Sequence, residues 1–237
     1  MASSRSADRK MASPVTPDFG EADGGVVAAE ANLARVAAAG CASHPHLLAL
    51  VHGTGAHAGR DLADAVHLLC SLHGRHPGLI ELACSRSPDS AARAWLTQAA
   101  EDFEHERLFL VRLTASVGPL PSTPGAAQTE ASLKSQRHAL ETLASSERHG
   151  CALGAATALI GDWAAIRQIL DRAAARAGID HRAAVLPERS SIAQVVDTVA
   201  DSLAANRALT FGGEQLLLQH RALFDLLEAR ASARSDY

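Results

Sequence analysis

Residues 125–177 read GAAQTEASLKSQRHALETLASSERHGCALGAATALIGDWAAIRQILDRAAARA, the longest helical pattern in the chain. Alanine, leucine, glutamine, glutamate and arginine, which all favour helices, fill most of this stretch, and it contains no proline. Three glycines (Gly150, Gly154 and Gly161) interrupt its middle, and each costs a helix about 1 kcal/mol relative to alanine. We therefore predict two helices in line rather than one.

The composition of the whole chain also favours a helical protein. Of the 237 residues, 50 are alanine and only 3% are aromatic, which excludes an all-β fold. Hydrophobic residues make up 47% and charged residues 20%, values that are ordinary for a globular protein. The formal net charge is -4, so we predict no nucleic-acid partner.

Glycine and proline divide the chain into predicted helices. A long helix over 89–117 has Asp89 as its cap. Near the end of the chain, Gly212 and Gly213 predict a break between helices over 190–209 and 214–233.

The first 25 residues are polar and rich in serine, aspartate and glycine, which predicts a disordered tail over 1–25. No repeat and no proline-rich linker divides the remainder. The prediction is an all-α protein with a single helical bundle of five to seven helices over 26–237.

The sequence shows no targeting segment. No stretch reaches the ~18 consecutive apolar residues of a membrane helix, and none resembles a signal-peptide core. The four cysteines are scattered without a CxxC pair, unlike the disulfide frameworks of small secreted proteins. We predict a cytoplasmic protein with no membrane partner.

Five polar residues fall on or near apolar helix faces when positions are placed at about 100° per residue. They are Asp102, Glu106, Glu147, Asp162 and His220. A carboxylate on an apolar face needs a cation, a hydrogen-bond donor or a metal ion. Two interpretations follow: structural ion pairs with Arg137 and Arg207, or a common metal site.

The metal hypothesis joins four of these residues, namely Asp102, Glu106, Glu147 and His220. Asp162 lies fifteen residues after Glu147, about 22 Å along a helix, so these two carboxylates do not share one site.

Ferritin-like di-iron sites use Glu-x-x-His pairs, and this chain has two Asp-x-x-His pairs, Asp64 with His67 and Asp102 with His105. Chance predicts about 1.3 acid-x-x-His pairs from 12 histidines and 26 acidic residues, so there is no enrichment. Asp64 and His67 are also predicted to point away from the apolar face of their helix.

Two further patterns leave alternatives open. Cys70, His73 and His76 have a spacing that zinc accepts, although no second Cys/His pair accompanies them. The glycines over 150–161 let another helix approach closely, which indicates either tight core packing or a ligand cavity or dimer contact.

Three segments carry a resemblance to a known family: HGRHPGLIELA (73–83), VGPLPSTPG (117–125) and ERHGCALGAATALIGDW (147–163). They resemble an uncharacterised family of helical proteins from GC-rich bacteria, and no activity follows from that likeness. A remoter resemblance to ferritin-like bundles, in helix length and order, implies a di-iron centre.

The signatures of nucleotide-binding loops and of GxSxG hydrolases are absent. We therefore favour a non-catalytic binding or interaction module, with a homo-oligomer or a protein partner compatible with that role. The alternative is a ferritin-like metal-dependent oxidoreductase of the di-iron type. The sequence identifies no cofactor beyond that metal.

Overall fold

The structure, a computed structural model, describes residues 22–235, and this part of the chain contains nine α-helices, one 3₁₀ turn and no strand. The helices are α1 (Ala22–Ala39), α2 (Pro45–His52), α3 (Ala58–His73), α4 (Leu79–Arg86), α5 (Ser90–Ser116), α6 (Ala126–Ala144), α7 (Cys151–Ala177), α8 (Arg189–Val199) and α9 (Leu203–Ser235). The 3₁₀ turn, Cys41–Ser43, follows α1. The all-α prediction is confirmed.

The predicted disordered tail lies outside the described residues up to residue 21. Helix α1 begins at Ala22, before the predicted start at residue 26. Gly24 and Gly25 have low helix propensity, which is why the sequence alone places the start after them.

The predicted count of five to seven helices is too low, because short segments form separate helices. Helix α8 ends at Val199, and α9 begins at Leu203, where the sequence predicted one helix over 190–209. The predicted break at Gly212 and Gly213 is wrong, since α9 continues through both. A Cβ at Gly212 would overlap the carbonyl oxygen of Cys151, so the close approach of α7 explains the glycine there.

The long helical stretch is divided as predicted, but by a turn rather than in line. Residues 145–150 separate α6 from α7, and Gly150, the N-cap of α7, has a φ of 89°, a left-handed conformation that favours glycine. Asp89 also caps α5 as predicted, because its Oδ1 accepts a hydrogen bond from the Ala92 amide at 2.6 Å.

Helix α7 lies at the centre of the fold. It contacts each of the other eight helices, and it packs most extensively against α9. At their crossing, a Cβ at Gly154 would overlap the carbonyl oxygen of Leu209, so the two backbones are in close contact. The glycine-rich stretch therefore provides tight core packing at this crossing, whereas a ligand cavity or a dimer contact near it remains a prediction.

The apolar core is one connected cluster that extends from α1 to α9 and includes the fully buried Trp163 and Phe224. No helix within residues 22–235 combines the length and apolar character needed to cross a membrane.

Candidate functional site

Glu106, one of the predicted inward residues, is buried and satisfied by two donors. Its Oε1 accepts a hydrogen bond from Arg167 Nη1 at 2.7 Å, and its Oε2 accepts one from Trp163 Nε1 at 2.9 Å. The ion-pair interpretation therefore describes Glu106, although the partner is neither Arg137 nor Arg207.

Asp102 and Glu147 lie apart from that pair. Asp102 is half-buried and accepts a hydrogen bond from Gln98 Nε2 at 3.0 Å. Glu147 is exposed in the turn between α6 and α7. The sequence placed Glu147 near an apolar face by continuing one helical phase, and the turn breaks that phase.

The four predicted metal ligands are not brought together. No group of three or more potential ligand side chains within residues 22–235 contains Asp102, Glu106 or Glu147. His220 instead belongs to a group with Cys41 and Asp162. The four-residue set is thereby replaced by a different cluster around His220.

The position of Asp64 also differs from the sequence analysis, which predicted that its side chain points away from the apolar face of its helix. It is completely buried, because α3 is packed between several helices and has no solvent-facing side at this position. Its oxygens accept hydrogen bonds from Arg230 Nη2 at 2.7 Å and from Arg234 Nη1 at 2.5 Å. Arg234 also pairs with Asp61 at 2.8 Å. This set of two aspartates and two arginines ties α3 to the end of α9.

The Cys41–Asp162–His220 cluster, named by its three residues, joins the 3₁₀ turn, α7 and α9. Asp162 Oδ2 lies 2.7 Å from His220 Nδ1, and Asp162 Oδ1 accepts a hydrogen bond from the Cys41 amide at 2.9 Å. All three side chains are buried. Gly40 makes room for the carboxylate, because a Cβ there would overlap Asp162 Oδ1.

The thiol of Cys41 completes the cluster. Its sulfur, a carboxylate oxygen of Asp162 and a ring nitrogen of His220 all lie within 4.8 Å of one another. Burial, and then the neighbouring negative charge of Asp162, raise the pKa of the Cys41 thiol far above its ordinary value. Cys41 is therefore a protonated thiol in the metal-free protein and not an activated nucleophile.

Asp162 remains a carboxylate despite its burial. Burial acts to raise its pKa, but hydrogen bonds from His220 and Cys41 outweigh that effect and hold the pKa below the ordinary value of 3.8. An ionised carboxylate only accepts hydrogen bonds, so the hydrogen between the two side chains resides on His220 Nδ1.

The charge of Asp162 has an unusual environment. Within the described part of the chain, no arginine or lysine nitrogen lies within 4 Å of it, and its one ion-pair partner is His220. The other ring nitrogen of His220, Nε2, is buried and finds no hydrogen-bond partner among those same residues. A buried nitrogen without a partner costs about 1–3 kcal/mol.

His73, the last residue of α3, packs against the ring of His220. Its ring is perpendicular to the ring of His220, with 5.1 Å between the centroids, and to the indole of Trp163 at 5.5 Å. His73 Nε2 is also buried and without a partner between residues 22 and 235. Burial holds the pKa of His73 well below 6.5, and the neighbouring His220 and Arg107 lower it further, so the ring is neutral.

The zinc pattern predicted for Cys70, His73 and His76 is not assembled. His76 is exposed and groups with Glu81 and Glu104, where the guanidinium of Arg107 already pairs with both carboxylates. A third group, His44 with Asp225 and Glu228, has both carboxylates exposed. Among the described residues, the Cys41–Asp162–His220 cluster is the one such group that is entirely buried.

Sequence reasoning identified two members of this cluster. Asp162 and His220 were placed on apolar helix faces, and the structure confirms that both are buried. Cys41 was missed because it lies in a short 3₁₀ turn, where no helical period predicts the direction of a side chain. The adjacent Gly40 is a sequence signal for the close approach of Asp162 to this turn, although glycine is common at the ends of helices for other reasons.

Residues 36–235 match the model of a family described as a family of unknown function, DUF6975. The chain therefore belongs to this family, which agrees with the resemblance drawn from its three segments. No curated protein and no solved structure matches the chain.

Proposed function

We propose that the protein binds one divalent transition-metal ion, of the zinc type, at the Cys41–Asp162–His220 cluster. The observation that carries this proposal is the environment of Asp162. Among residues 22–235, this buried carboxylate has no arginine or lysine partner, and the histidine that contacts it keeps one buried nitrogen unpaired.

Charge balance supports a divalent cation. Glu106 and Asp64, the other fully buried carboxylates with resolved partners, are each neutralised by arginine. At the cluster, Asp162 carries one negative charge beside the protonated Cys41 thiol, and a Cys41 thiolate formed on metal binding would add a second. A divalent ion would balance both charges.

The donor set fits a borderline metal. Thiolate sulfur, imidazole nitrogen and carboxylate oxygen are the three donor types that zinc accepts, usually in tetrahedral arrangements. The ligand atoms already lie within 4.8 Å of one another, so small side-chain adjustments suffice to surround an ion. Coordination would release the proton of the Cys41 thiol, and coordination through His220 Nδ1 would move the hydrogen of that atom to Nε2.

The test begins with full-length protein that has been treated with a chelator, dialysed against Zn²⁺ and analysed for metal content. We expect about one equivalent of zinc. Cobalt substitution adds a spectroscopic readout, because thiolate ligation gives a charge-transfer band. Cys41→Ser should abolish that band, whereas Cys151→Ser, at a buried cysteine outside the cluster, should preserve it.

Two variants examine the geometry. Asp162→Asn removes a charged ligand, and Gly40→Ala places a Cβ where Asp162 Oδ1 lies. Both should reduce zinc binding by at least about tenfold, equivalent to about 1.4 kcal/mol. Binding that survives Cys41→Ser, Asp162→Asn and His220→Gln would rule out this site.

The same measurements separate the hypotheses drawn from the sequence. A non-catalytic binding or interaction module predicts no stoichiometric metal. A ferritin-like di-iron protein predicts about two equivalents of iron. For a di-iron protein, the iron content should fall in Asp102→Asn and Glu147→Gln. Both substitutions lie outside the Cys41–Asp162–His220 cluster and should leave its zinc binding unchanged.

The sequence also leaves predictions that concern the whole chain. One domain over 26–237, a cytoplasmic location, and a homo-oligomer or protein partner remain predictions. Light scattering of the purified protein with and without zinc tests the oligomeric state directly.

A further inference from the structure

A small cavity lies between α3, α4, α5 and α6, and its volume is about 50 Å³. Its lining extends from Arg75, Pro77 and Glu141, which are exposed, to Phe103 and Leu140, which are buried. None of the residues of the Cys41–Asp162–His220 cluster lines it. A ligand in this cavity would therefore be independent of the proposed metal ion.

Arginine side chains dominate the polar part of the lining. Arg75, Arg107 and Arg137 line the cavity, whereas Glu141 is the one acidic residue of the lining in the described part of the chain. Among residues 22–235, neither Arg75 nor Arg137 has a carboxylate oxygen within 4 Å, and Arg137 Nη1 donates to the carbonyl oxygen of Ser71 at 3.4 Å. Two positive charges at this cavity are thus left without an ion-pair partner in that range.

Arg107 gives the lining a buried donor. Its guanidinium pairs through Nη2 with Glu81 at 2.5 Å and through Nη1 with Glu104, and only 4% of its side chain is exposed. Its Nε is buried and finds no hydrogen-bond partner between residues 22 and 235. Because arginine stays protonated, this nitrogen can only donate, and a buried donor without an acceptor is destabilising. An acceptor atom bound in the cavity would supply the missing partner.

The size of the cavity restricts the ligand. A water molecule needs roughly 10–15 Å³ when volume is measured in this way, so the cavity holds about three to five water-sized groups. Pockets for ligands of drug size are larger, about 300–1,000 Å³. Guanidinium groups bind planar oxyanions through paired hydrogen bonds. Formate, nitrate and hydrogencarbonate combine that shape with this size.

We propose that the cavity binds a small planar oxyanion, of the formate, nitrate or hydrogencarbonate type, between Arg75, Arg107 and Arg137. Arg137 and Arg75 supply positive charge, and Arg107 supplies a hydrogen-bond donor. Buried apolar side chains of the lining, such as Phe103 and Leu140, limit screening by water and strengthen these contacts. This inference goes beyond the proposed metal binding and does not depend on it.

Formate is a suitable probe, because it is the smallest carboxylate. Full-length protein that has been treated with a chelator is titrated with sodium formate in a calorimeter at constant ionic strength. We expect saturable, stoichiometric binding. Benzoate carries the same carboxylate on a ring that is too large for the cavity, so it should not bind and should not displace formate.

Two variants change the charge of the lining in opposite directions. Arg137→Gln removes a positive charge and should weaken formate binding by about tenfold. Glu141→Gln removes the opposing negative charge and should strengthen formate binding by about two- to fivefold. Arg172→Gln is the matched control, because Arg172 is also half-buried, donates to a backbone carbonyl (that of Leu50) and lies outside the lining. It should leave the formate affinity unchanged.

The outcomes are decisive even if Arg137→Gln fails to fold, since Glu141→Gln changes an exposed side chain. A formate affinity that is unchanged or lower in Glu141→Gln overturns the site, as does equal affinity in the native protein and a folded Arg137→Gln. Absence of formate binding, or equal binding of benzoate, overturns it as well. Cys41→Ser should bind formate like the native protein, so failure of the metal site and failure of the anion site are distinguishable.

Discussion

Asp64 in α3 and Asp162 in α7 are buried to nearly the same degree, with 0% and 3% of their surface exposed, yet they have opposite surroundings. Asp64 accepts hydrogen bonds from two guanidinium groups, those of Arg230 and Arg234. Asp162 contacts an imidazole and a backbone amide. Burial alone therefore does not distinguish a structural carboxylate from a candidate ligand.

The difference lies in what each carboxylate can still bind. Arg230 and Arg234 balance the negative charges of Asp64 and Asp61, and the guanidinium nitrogens occupy the directions from which another cation would approach Asp64. Asp162 retains negative charge beside a thiol, which binds metals as a thiolate, and an imidazole, which binds them as the neutral ring. Arginine partners thus account for Asp64 as a structural carboxylate, whereas the proposal of metal binding concerns Asp162, which has no such partner among residues 22–235.

The largest expected effect is the loss of Asp64. Asp64→Ala leaves Arg230 and Arg234 buried without their carboxylate, which should lower the free energy of unfolding by about 3–5 kcal/mol. Urea denaturation of the metal-free protein measures this change. Replacing all three residues by apolar ones of similar volume should restore much of the loss, and a cost below about 1 kcal/mol for Asp64→Ala would contradict the assigned role.

Asp162→Asn should destabilise the metal-free protein less, by about 1–3 kcal/mol, because no arginine is left unpaired. Its distinguishing effect is on zinc. Zinc at about 100 times its dissociation constant should stabilise the native protein by about 2.7 kcal/mol and should not stabilise this variant. Thermal denaturation with and without zinc provides the measurement, and equal zinc-induced shifts in both proteins would exclude Asp162 as a ligand.

A pH titration tests how the buried His73 and His46 affect the free energy of unfolding. Burial lowers the pKa of His73 well below 6.5, and it also lowers the pKa of His46. Because the unfolded chain takes up these protons first, stability is lost as the pH falls below about 6.5, by up to about 1.4 kcal/mol per pH unit for each group. Asp162, whose pKa is lowered, contributes stability that is present above 3.8 and lost in stronger acid.

Chemical denaturation of the chelator-treated protein between about pH 8 and pH 5 measures that slope. His73→Leu should flatten it more than His46→Leu, because the pKa of His73 is lowered further. An unchanged slope in His73→Leu would show that another group accounts for the pH dependence.

The smallest effect is expected at an exposed carboxylate. Glu214, half of whose side chain is exposed, pairs with Arg35 at 3.1 Å. Glu214→Gln should cost about 0.2–1 kcal/mol, because water and salt screen the pair, and the cost should decrease as salt is added. A loss as large as that of Asp64→Ala would break the relation between burial and the energetic weight of an ion pair.

Local sequence patterns predicted much of the fold. The cap at Asp89, the long helix that follows it and the division of residues 125–177 depend on neighbouring residues, so composition and periodicity suffice to find them. The same periodicity placed Asp162 and His220 inside the protein. It failed at Glu147, where a turn shifts the phase, and at Gly212, which stays helical because another helix packs against it.

The sequence by itself determined the helical class and the inward direction of several polar side chains, because both follow from a repeat of 3.6 residues within one helix. Tertiary structure alone decided the partners. Asp162 meets Cys41 from 121 positions away and His220 from 58, while Asp64 meets Arg230 from 166. No local pattern encodes contacts over such separations, and these contacts determine whether a buried carboxylate is neutralised by arginine or remains available to a metal ion.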